Sequence, residues 1–145
     1  MIIPDANLLL YAHIPFFKQH LDSKIWLEEC LSNGTDVIGL SWQVMMAFCR
    51  ISTNRRIFDV PLSIEQATEK IDILLQQPLV EIISPSNKHW KLFSKILVEE
   101  KVVGDLMMDA HLAVLAIEHN AVIATTDRDF TRFSDYIKTI NPLKK

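Results

Sequence analysis

The residues best placed to do chemistry are aspartates that flank short apolar segments. Asp5 follows the first such segment, and Asp127 and Asp129 follow a later one. Asp109 lies near the start of the helical pattern that precedes this later segment. Acids gathered in one place raise one another's pKa values unless a cation neutralises them. Ligation by oxygen alone selects Mg²⁺ or Mn²⁺ rather than Zn²⁺, and such an ion activates water for attack on a phosphodiester. The aspartates therefore predict a hard-cation site suited to phosphodiester hydrolysis.

Asp5 has an alternative interpretation, and Asp109 has an acidic neighbour. Asp5 precedes residues 8–11, which open a helix, so a plain N-cap explains it as well as a ligand does. Asp109 has a neighbour, Asp105, four residues before it, and a helical turn puts both on one face.

The elements that must position these acids are clearest in residues 104–130, which predict a loop, a helix, a tight connection, a buried strand and an acidic loop. Small residues at i, i+3 and i+6 of the helix allow close packing on a sheet: Ala110, Ala113 and Ala116. Bulkier apolar contacts are expected from Met108, Leu112, Leu115 and Ile117. Residues 121–124 form a short apolar run that predicts a central strand of a parallel sheet.

Strands alternate with helices along the rest of the chain. Four more strands are predicted at residues 1–4, 36–40, 80–83 and 136–140. Four more helices are predicted at residues 18–32, 42–52, 64–76 and 87–99. In the helix at residues 18–32, the side chains expected to face inward are Leu21, Ile25, Trp26, Cys30 and Leu31. The alternation predicts an α/β sheet sandwich with right-handed crossovers.

Composition limits the possible functions. The chain has 145 residues, 49% of them apolar, a net charge of −3 and a pI near 5.9, so we expect one domain spanning residues 1–145. This charge argues against gripping nucleic acid by bulk positive charge, although a local basic patch is allowed. Cys30 and Cys49 have no metal-ligand spacing and predict free thiols in a reducing cytosol. No signal peptide or membrane-length apolar run is present, which predicts a soluble, cytoplasmic protein.

Other catalytic motifs are absent from the sequence. Three glycines spread over the chain cannot form a glycine-rich phosphate loop, and none of the five histidines has a zinc-motif context. His111 lies two residues after Asp109, on nearly the opposite face of the helix, so a hydrogen-bonded structural role is expected. Ser41 has no evident base and no nucleophile elbow.

The helix at residues 42–52 is apolar almost all round, which indicates core or a subunit interface. We expect part of it, with Trp42, Met45, Met46, Ile57 and Phe58, to bury against a second copy of the chain.

Arginines cluster near the end of that helix at Arg50, Arg55 and Arg56, and Arg128 and Arg132 flank the acidic loop. The first three are either a solvated helix terminus or a phosphate-contacting patch. We predict that the arginines line the approach to the acids and contact phosphates without reading bases.

Four segments of the chain, in order, resemble a known family: PDANLLLYAH, SWQVMMAFCRISTNRRIF, DAHLAVLAIEHNAVIATTDRDF and INPL. They are similar to PIN domains, and within them to the VapC-type ribonuclease toxins of bacterial toxin–antitoxin pairs. The resemblance implies a central parallel sheet of about five strands flanked by helices. It also implies Mg²⁺-dependent cleavage of RNA (with Mn²⁺ as a possible substitute), a homodimer, and inhibition by a small cognate antitoxin.

The resemblance also implies roles for particular residues. Asp5, Asp109 and Asp127 match the catalytic, metal-binding acids. Asn7 matches the polar residue that steadies the first acid, and Thr125 matches the hydroxyl residue of the T-x-D motif. Asp129 is expected to be auxiliary.

One position departs from the family pattern. Many PIN domains carry a glutamate where this chain has Ala47. Either Asp105 supplies the missing charge, or Asp105 only caps its helix or faces water. Two functions therefore stay open: a metal-dependent ribonuclease toxin, or a catalytically weak PIN domain that acts as an antitoxin-binding or regulatory module. A DxD-type phosphatase is disfavoured because Asp5 is followed by Asn7 at the second acidic position.

Overall fold

The computed structural model describes residues 1–144 and contains one five-stranded sheet flanked by helices. The strands are β1 (Ile2–Pro4), β2 (Ile38–Ser41), β3 (Val80–Ile83), β4 (Val122–Ala124) and β5 (Lys138–Ile140). The helices are α1 (Ala6–His13), α2 (His20–Ser32), α3 (Trp42–Ser52), α4 (Ile64–Leu75), α5 (His89–Glu99) and α6 (Leu106–Glu118). A 3₁₀ helix follows β4 at Arg128–Phe133.

The strand order is β3-β2-β1-β4-β5, and every neighbouring pair is parallel. The predicted α/β architecture and all five predicted strands are therefore confirmed. Ile3, Ile38 and Ile123 on the three central strands are no more than 1% exposed, as expected for a parallel sheet covered on both faces. Because all strands run the same way, their carboxyl ends share one edge of the sheet.

Helix α6 packs as its small-residue ridge predicts. Ala110, Ala113 and Ala116 are each fully buried, and so are Leu112 and Leu115. The prediction for Met108 is wrong, because its side chain is 52% exposed. It lies in the first turn, before the buried stretch that starts at Ala110.

The prediction for α2 is partly wrong. Leu21 and Ile25 are 64% and 54% exposed, whereas Ser23 and Leu27 are buried. Trp26, Cys30 and Leu31 are partly buried against the core, as predicted. Helix α2 packs mainly on α1 rather than on the sheet, so only a narrow stripe of its surface is covered.

Two residues predicted for a subunit interface belong instead to the core. Met45 and Phe58 are 6% and 5% exposed. Phe58 contacts the rings of Phe16 and Phe17 edge to face, at centroid distances of 5.5 and 5.7 Å. Its apolar surface is therefore satisfied within one copy of the chain.

As predicted, Cys30 and Cys49 are free thiols, but both are half-buried rather than buried. Within residues 1–144, no helix has the length and apolar character needed to cross a membrane.

Candidate active site

The predicted aspartates gather at the carboxyl edge of the sheet. Asp5 follows β1 directly, and its backbone N–H donates to Ala124 O of β4 at 2.8 Å. This bond extends the pairing of the two central strands to the first acid. Thr125 and Asp127 then follow β4, so the loop after β4 passes beside Asp5.

The Asp5 carboxylate is held by two hydrogen bonds. Its Oδ1 accepts from the backbone N–H of Ala6 at 2.8 Å, and its Oδ2 accepts from the hydroxyl of Thr125 at 2.8 Å. The buried Thr125 hydroxyl also accepts from the backbone N–H of Asp127 at 2.9 Å. Asp5 is thus both the N-cap residue of α1 and a neighbour of the acidic loop. Asn7 is not among its hydrogen-bond partners within residues 1–144, and the role of Asn7 stays a prediction.

The loop after β4 folds back through Asp127, whose Oδ1 accepts from the backbone N–H of Asp129 at 2.8 Å. The turn starts the 3₁₀ helix and returns the Asp129 side chain toward α6. Asp109, Asp127 and Asp129 each offer a carboxylate oxygen, and these three oxygens lie within 4.8 Å of one another. The sequence indicated Asp129 only as an auxiliary residue, whereas the structure places it in this cluster.

Electrostatic repulsion in the cluster is strong. Burial, followed by the charges of Asp5, Asp127, Asp129 and Asp105, raises the pKa of Asp109 to about 7. Burial also raises the pKa of Asp5, although the hydrogen bonds from Thr125 and Ala6 lower it again in part. Within residues 1–144, no lysine, arginine or histidine forms an ion pair with any of these carboxylates.

These residues fit a hard divalent cation. The cluster offers only carboxylate oxygens, and it has both partial access to solvent and uncompensated negative charge. Asp105 lies outside the cluster of three. It is exposed at the N-cap position of α6 without a capping hydrogen bond from its side chain, so the capping interpretation of Asp105 is not supported.

The predicted RNA-contacting arginines fall into two groups. Arg128 lies between Asp127 and Asp129, within the acidic loop, and is exposed. Arg132 donates to the backbone carbonyl of Glu100 at 2.6 Å.

Arg50, by contrast, lies in the last turn of α3, about 12 Å along the helix from its start, from the rise of about 1.5 Å per residue. Arg55 lines a separate cleft with Val60 and Gln66, and Arg56 is exposed near it. No arginine within residues 1–144 is ion-paired, although Arg132 is engaged by the Glu100 carbonyl. Their contact with RNA stays a prediction.

His111 has the structural role that the sequence predicted. Its Nδ1 shares a hydrogen bond of 2.8 Å with Nε2 of His89, and Nδ1 of His89 bonds to the Glu118 carboxylate. Burial and then the neighbouring His89 lower the pKa of His111. The partners of His111 could not be predicted, because they come from two helices, α5 and α6, that meet only in the folded chain.

The fold and the cluster together define an α/β protein with a candidate cation site at the carboxyl edge of its sheet. The family model for the PIN domain matches residues 2–136, and the chain belongs to the PIN domain family.

Several characterised proteins are similar over nearly the whole chain. VapC ribonuclease Mb2897 of Mycobacterium bovis is 37% identical over 133 residues, which are 92% of this chain and 90% of that protein. Ribonuclease VapC33 of Mycobacterium tuberculosis is 36% identical over 145 residues, covering both chains completely.

Solved structures support the fold. VapBC2 from Rickettsia felis, bound to a DNA fragment from its promoter, has a chain that superposes with a TM-score of 0.70 at 24% identity, covering 97% of this chain and 98% of that one. VapBC-1 from nontypeable Haemophilus influenzae has a TM-score of 0.68 at 20% identity, covering 99% and 100%.

Proposed function

We propose that this protein is a Mg²⁺-dependent endoribonuclease of the VapC type, acting in the cytoplasm as the toxin of a toxin–antitoxin pair. The observation that carries the proposal is the cluster of Asp109, Asp127 and Asp129, with Asp5 beside it, at the carboxyl edge of a PIN-domain sheet. It is supported by relatives at 36–37% identity that are named ribonucleases.

In this proposal Asp109, Asp127 and Asp129 hold the ion, and Mn²⁺ can replace Mg²⁺ because both prefer oxygen ligands. When bound, the ion supplies Lewis-acid polarisation of the phosphodiester and activation of water. The protein supplies the rigid frame. Thr125 fixes Asp5 and the start of the acidic loop at once, and the turn at Asp127 sets the distance between the two loop carboxylates.

Two protein partners belong to the proposal. The superposed structures are those of VapBC2 and VapBC-1, and we extend to this chain a small cognate antitoxin that binds and inhibits it.

The second partner is another copy of the chain. Trp42, Met46, Ile64 and Ile82 are 42–62% exposed and line one apolar groove, and we propose that this groove is part of a homodimer interface. Ile57, also predicted for the interface, is 47% exposed. Covering these side chains removes a contiguous apolar patch from water.

The direct test is cleavage of a mixed RNA pool by the purified protein with Mg²⁺, with Mn²⁺ and with excess EDTA. We expect cleavage with either ion and none in EDTA. Asp109→Asn should be inactive under all conditions, because one carboxylate fewer leaves too little charge to offset dehydration of the ion. Asp59→Asn removes an exposed carboxylate outside the cluster and should retain full activity. Undiminished cleavage by the wild type in EDTA would refute metal dependence.

The alternative is a catalytically weak PIN domain that acts mainly as an antitoxin-binding or regulatory module. The observation that favours it is Ala47, which leaves the site without the family's usual glutamate. Under this alternative, the wild type binds the small protein encoded beside it but cleaves RNA no faster with Mg²⁺ than Asp109→Asn does.

A further inference from the structure

The amino-terminal turn of α6, which carries Asp109, has no local restraint from a cap. Its N-cap residue Asp105 makes no side-chain hydrogen bond to the helix, and the preceding Gly104 has a φ of +62°. Uncapped first turns leave backbone N–H groups unsatisfied and fray readily. The Asp109 carboxylate itself accepts no hydrogen bond from any group within residues 1–144. The Met107 N–H donates to the Gly104 carbonyl at 3.0 Å, and a restraint from outside the helix would add to this local bond.

Gln43 supplies such a restraint. It lies in the first turn of α3, which starts at the carboxyl end of β2 and is capped by Ser41, whose Oγ accepts from Val44 N–H at 3.0 Å. The Gln43 Nε2 donates to the backbone carbonyl of Met108 at 3.2 Å. That carbonyl belongs to the same peptide unit as the N–H of Asp109. Within residues 1–144, this is the one side-chain hydrogen bond between α3 and α6.

The other end of the same amide is unusual. Gln43 Oε1 is fully buried and has no hydrogen-bond partner within residues 1–144. A buried amide oxygen without a partner carries a desolvation cost, because it gives up its hydrogen bond to water. Reversing the amide would not remove this cost, because the oxygen would then face the Met108 carbonyl and the NH₂ group would lose its acceptor. The chain thus keeps a costly buried amide at the contact between α3 and the helix that carries Asp109.

We infer that Gln43 is a positioning residue that sets the affinity of the acidic cluster for its cation by holding the Met108–Asp109 peptide unit. The inference rests on the proposed function, because it assigns Gln43 to the same site. Gln43 lies one helical turn before Ala47, on the same side of α3, so this helix contributes an amide that orients an acid where other PIN domains place a glutamate.

The test measures metal binding in the absence of RNA. Gln43→Met keeps the length of the side chain and removes the donor, and Gln43→Leu is a second apolar variant if the first folds poorly. The matched control is Gln77→Met, because Gln77 Nε2 also donates to a backbone carbonyl, that of Ile73 at 3.3 Å, on α4. Titration calorimetry with Mn²⁺ gives the affinity, and thermal melts with and without Mn²⁺ give the metal-induced rise in Tm.

We expect both Gln43 variants to bind Mn²⁺ about tenfold more weakly, as for other outer-sphere partners of metal ligands. In EDTA they should melt close to Gln77→Met. Their RNA cleavage should fall at low Mg²⁺ and recover at high Mg²⁺, a rescue that a purely structural defect would not show.

Wild-type affinity for Mn²⁺ in both Gln43 variants would overturn the inference and leave the proposed function standing. A wild type that neither binds Mn²⁺ nor cleaves RNA would overturn both.

Discussion

The hydroxyl of Thr125 donates to Oδ2 of Asp5 at 2.8 Å, joining two residues that are 120 positions apart in the chain. The same hydroxyl oxygen accepts from the N–H of Asp127. One side chain therefore fixes the first acid and the loop that carries two others. The threonine of the T-x-D motif is a geometric link between the two central strands of the sheet as well as a neighbour of the acids.

Replacing Thr125 by valine should lower both stability and activity. Valine has nearly the shape of threonine, so the loss comes from the missing hydroxyl. The substitution removes the hydroxyl that serves both Asp5 and Asp127, and we expect a loss of about 2 kcal/mol in the free energy of unfolding. RNA cleavage should fall at least tenfold, while Thr125→Ser restores most of both quantities. Urea unfolding and single-turnover cleavage measure the two effects. If valine is tolerated as well as serine, the hydroxyl has no such role.

Because the pKa of Asp109 is raised in the folded protein, the free energy of unfolding should fall as the pH rises through this value. An ion-paired aspartate, with a lowered pKa, has the opposite effect. The pKa of an ordinary aspartate is 3.8, whereas that of Asp109 is about 7 in the folded protein. Between these two pH values the folded state therefore holds a proton that the unfolded state has lost. Stability from this group is complete below about pH 4 and is lost as the pH rises through about 7.

Asp109→Asn should therefore raise the Tm of the metal-free protein at pH 8 and raise it much less at pH 5. Melts in EDTA across this range measure the difference. With Mg²⁺ the order should reverse at pH 8, because only the wild type gains from binding the ion. Equal melting of the two proteins in EDTA at pH 8 would contradict the assigned repulsion.

Trp42 provides the test of the dimer. We expect Trp42→Glu to convert the protein to a monomer at micromolar concentration, because it places a charge in the centre of the apolar groove. Trp90, which is 69% exposed on α5, offers the matched control, and Trp90→Glu should not change the mass. Light scattering coupled to size exclusion distinguishes the two states. A monomeric wild type would remove the dimer from the proposal.

The arginines can be separated by their salt dependence. Arg55→Ala with Arg56→Ala should weaken RNA binding equally for all sequences and flatten the dependence of log affinity on log salt by about one unit per lost phosphate contact. Lys88→Ala with Lys91→Ala removes two exposed cations from α5 and is the control for net charge.

Cleavage positions should not change in the arginine variant, because phosphate contacts position a strand without reading its bases. If the variant keeps its RNA affinity and salt slope but no longer binds its antitoxin, these two arginines serve the protein partner instead.

Much of the fold was predictable because the spacing of apolar residues along the chain indicates which side chains are buried. Residues 80–83 were placed correctly as a strand, and the alanine ridge of α6 predicted the surface that packs most closely. The errors lie where a pattern depends on which neighbour covers an element. Leu21 and Ile25 have the spacing of a buried stripe, yet α2 is covered along a different line by α1.

The site was predictable in its residues and less so in its geometry. The carboxylates that lie within 4.8 Å of one another are those of Asp109, Asp127 and Asp129, without Asp5. That outcome depends on the backbone turn at Asp127 and on the hydrogen bonds that hold Asp5, which residue spacing does not encode. The joint role of Asp5, Asp109 and Asp127 stays a prediction. Gln43 was not predictable at all, because its contact to Met108 spans 65 positions.

The place of β1 in the sheet also determines when the site can exist. The chain is synthesised from its amino terminus, so Asp5 leaves the ribosome early. Strand β4, which pairs with β1, leaves more than a hundred residues later. Until then one side of β1 lacks its strand, and Asp127 and Asp129 have not been synthesised. The cluster of Asp109, Asp127 and Asp129 can therefore form only once synthesis is nearly complete.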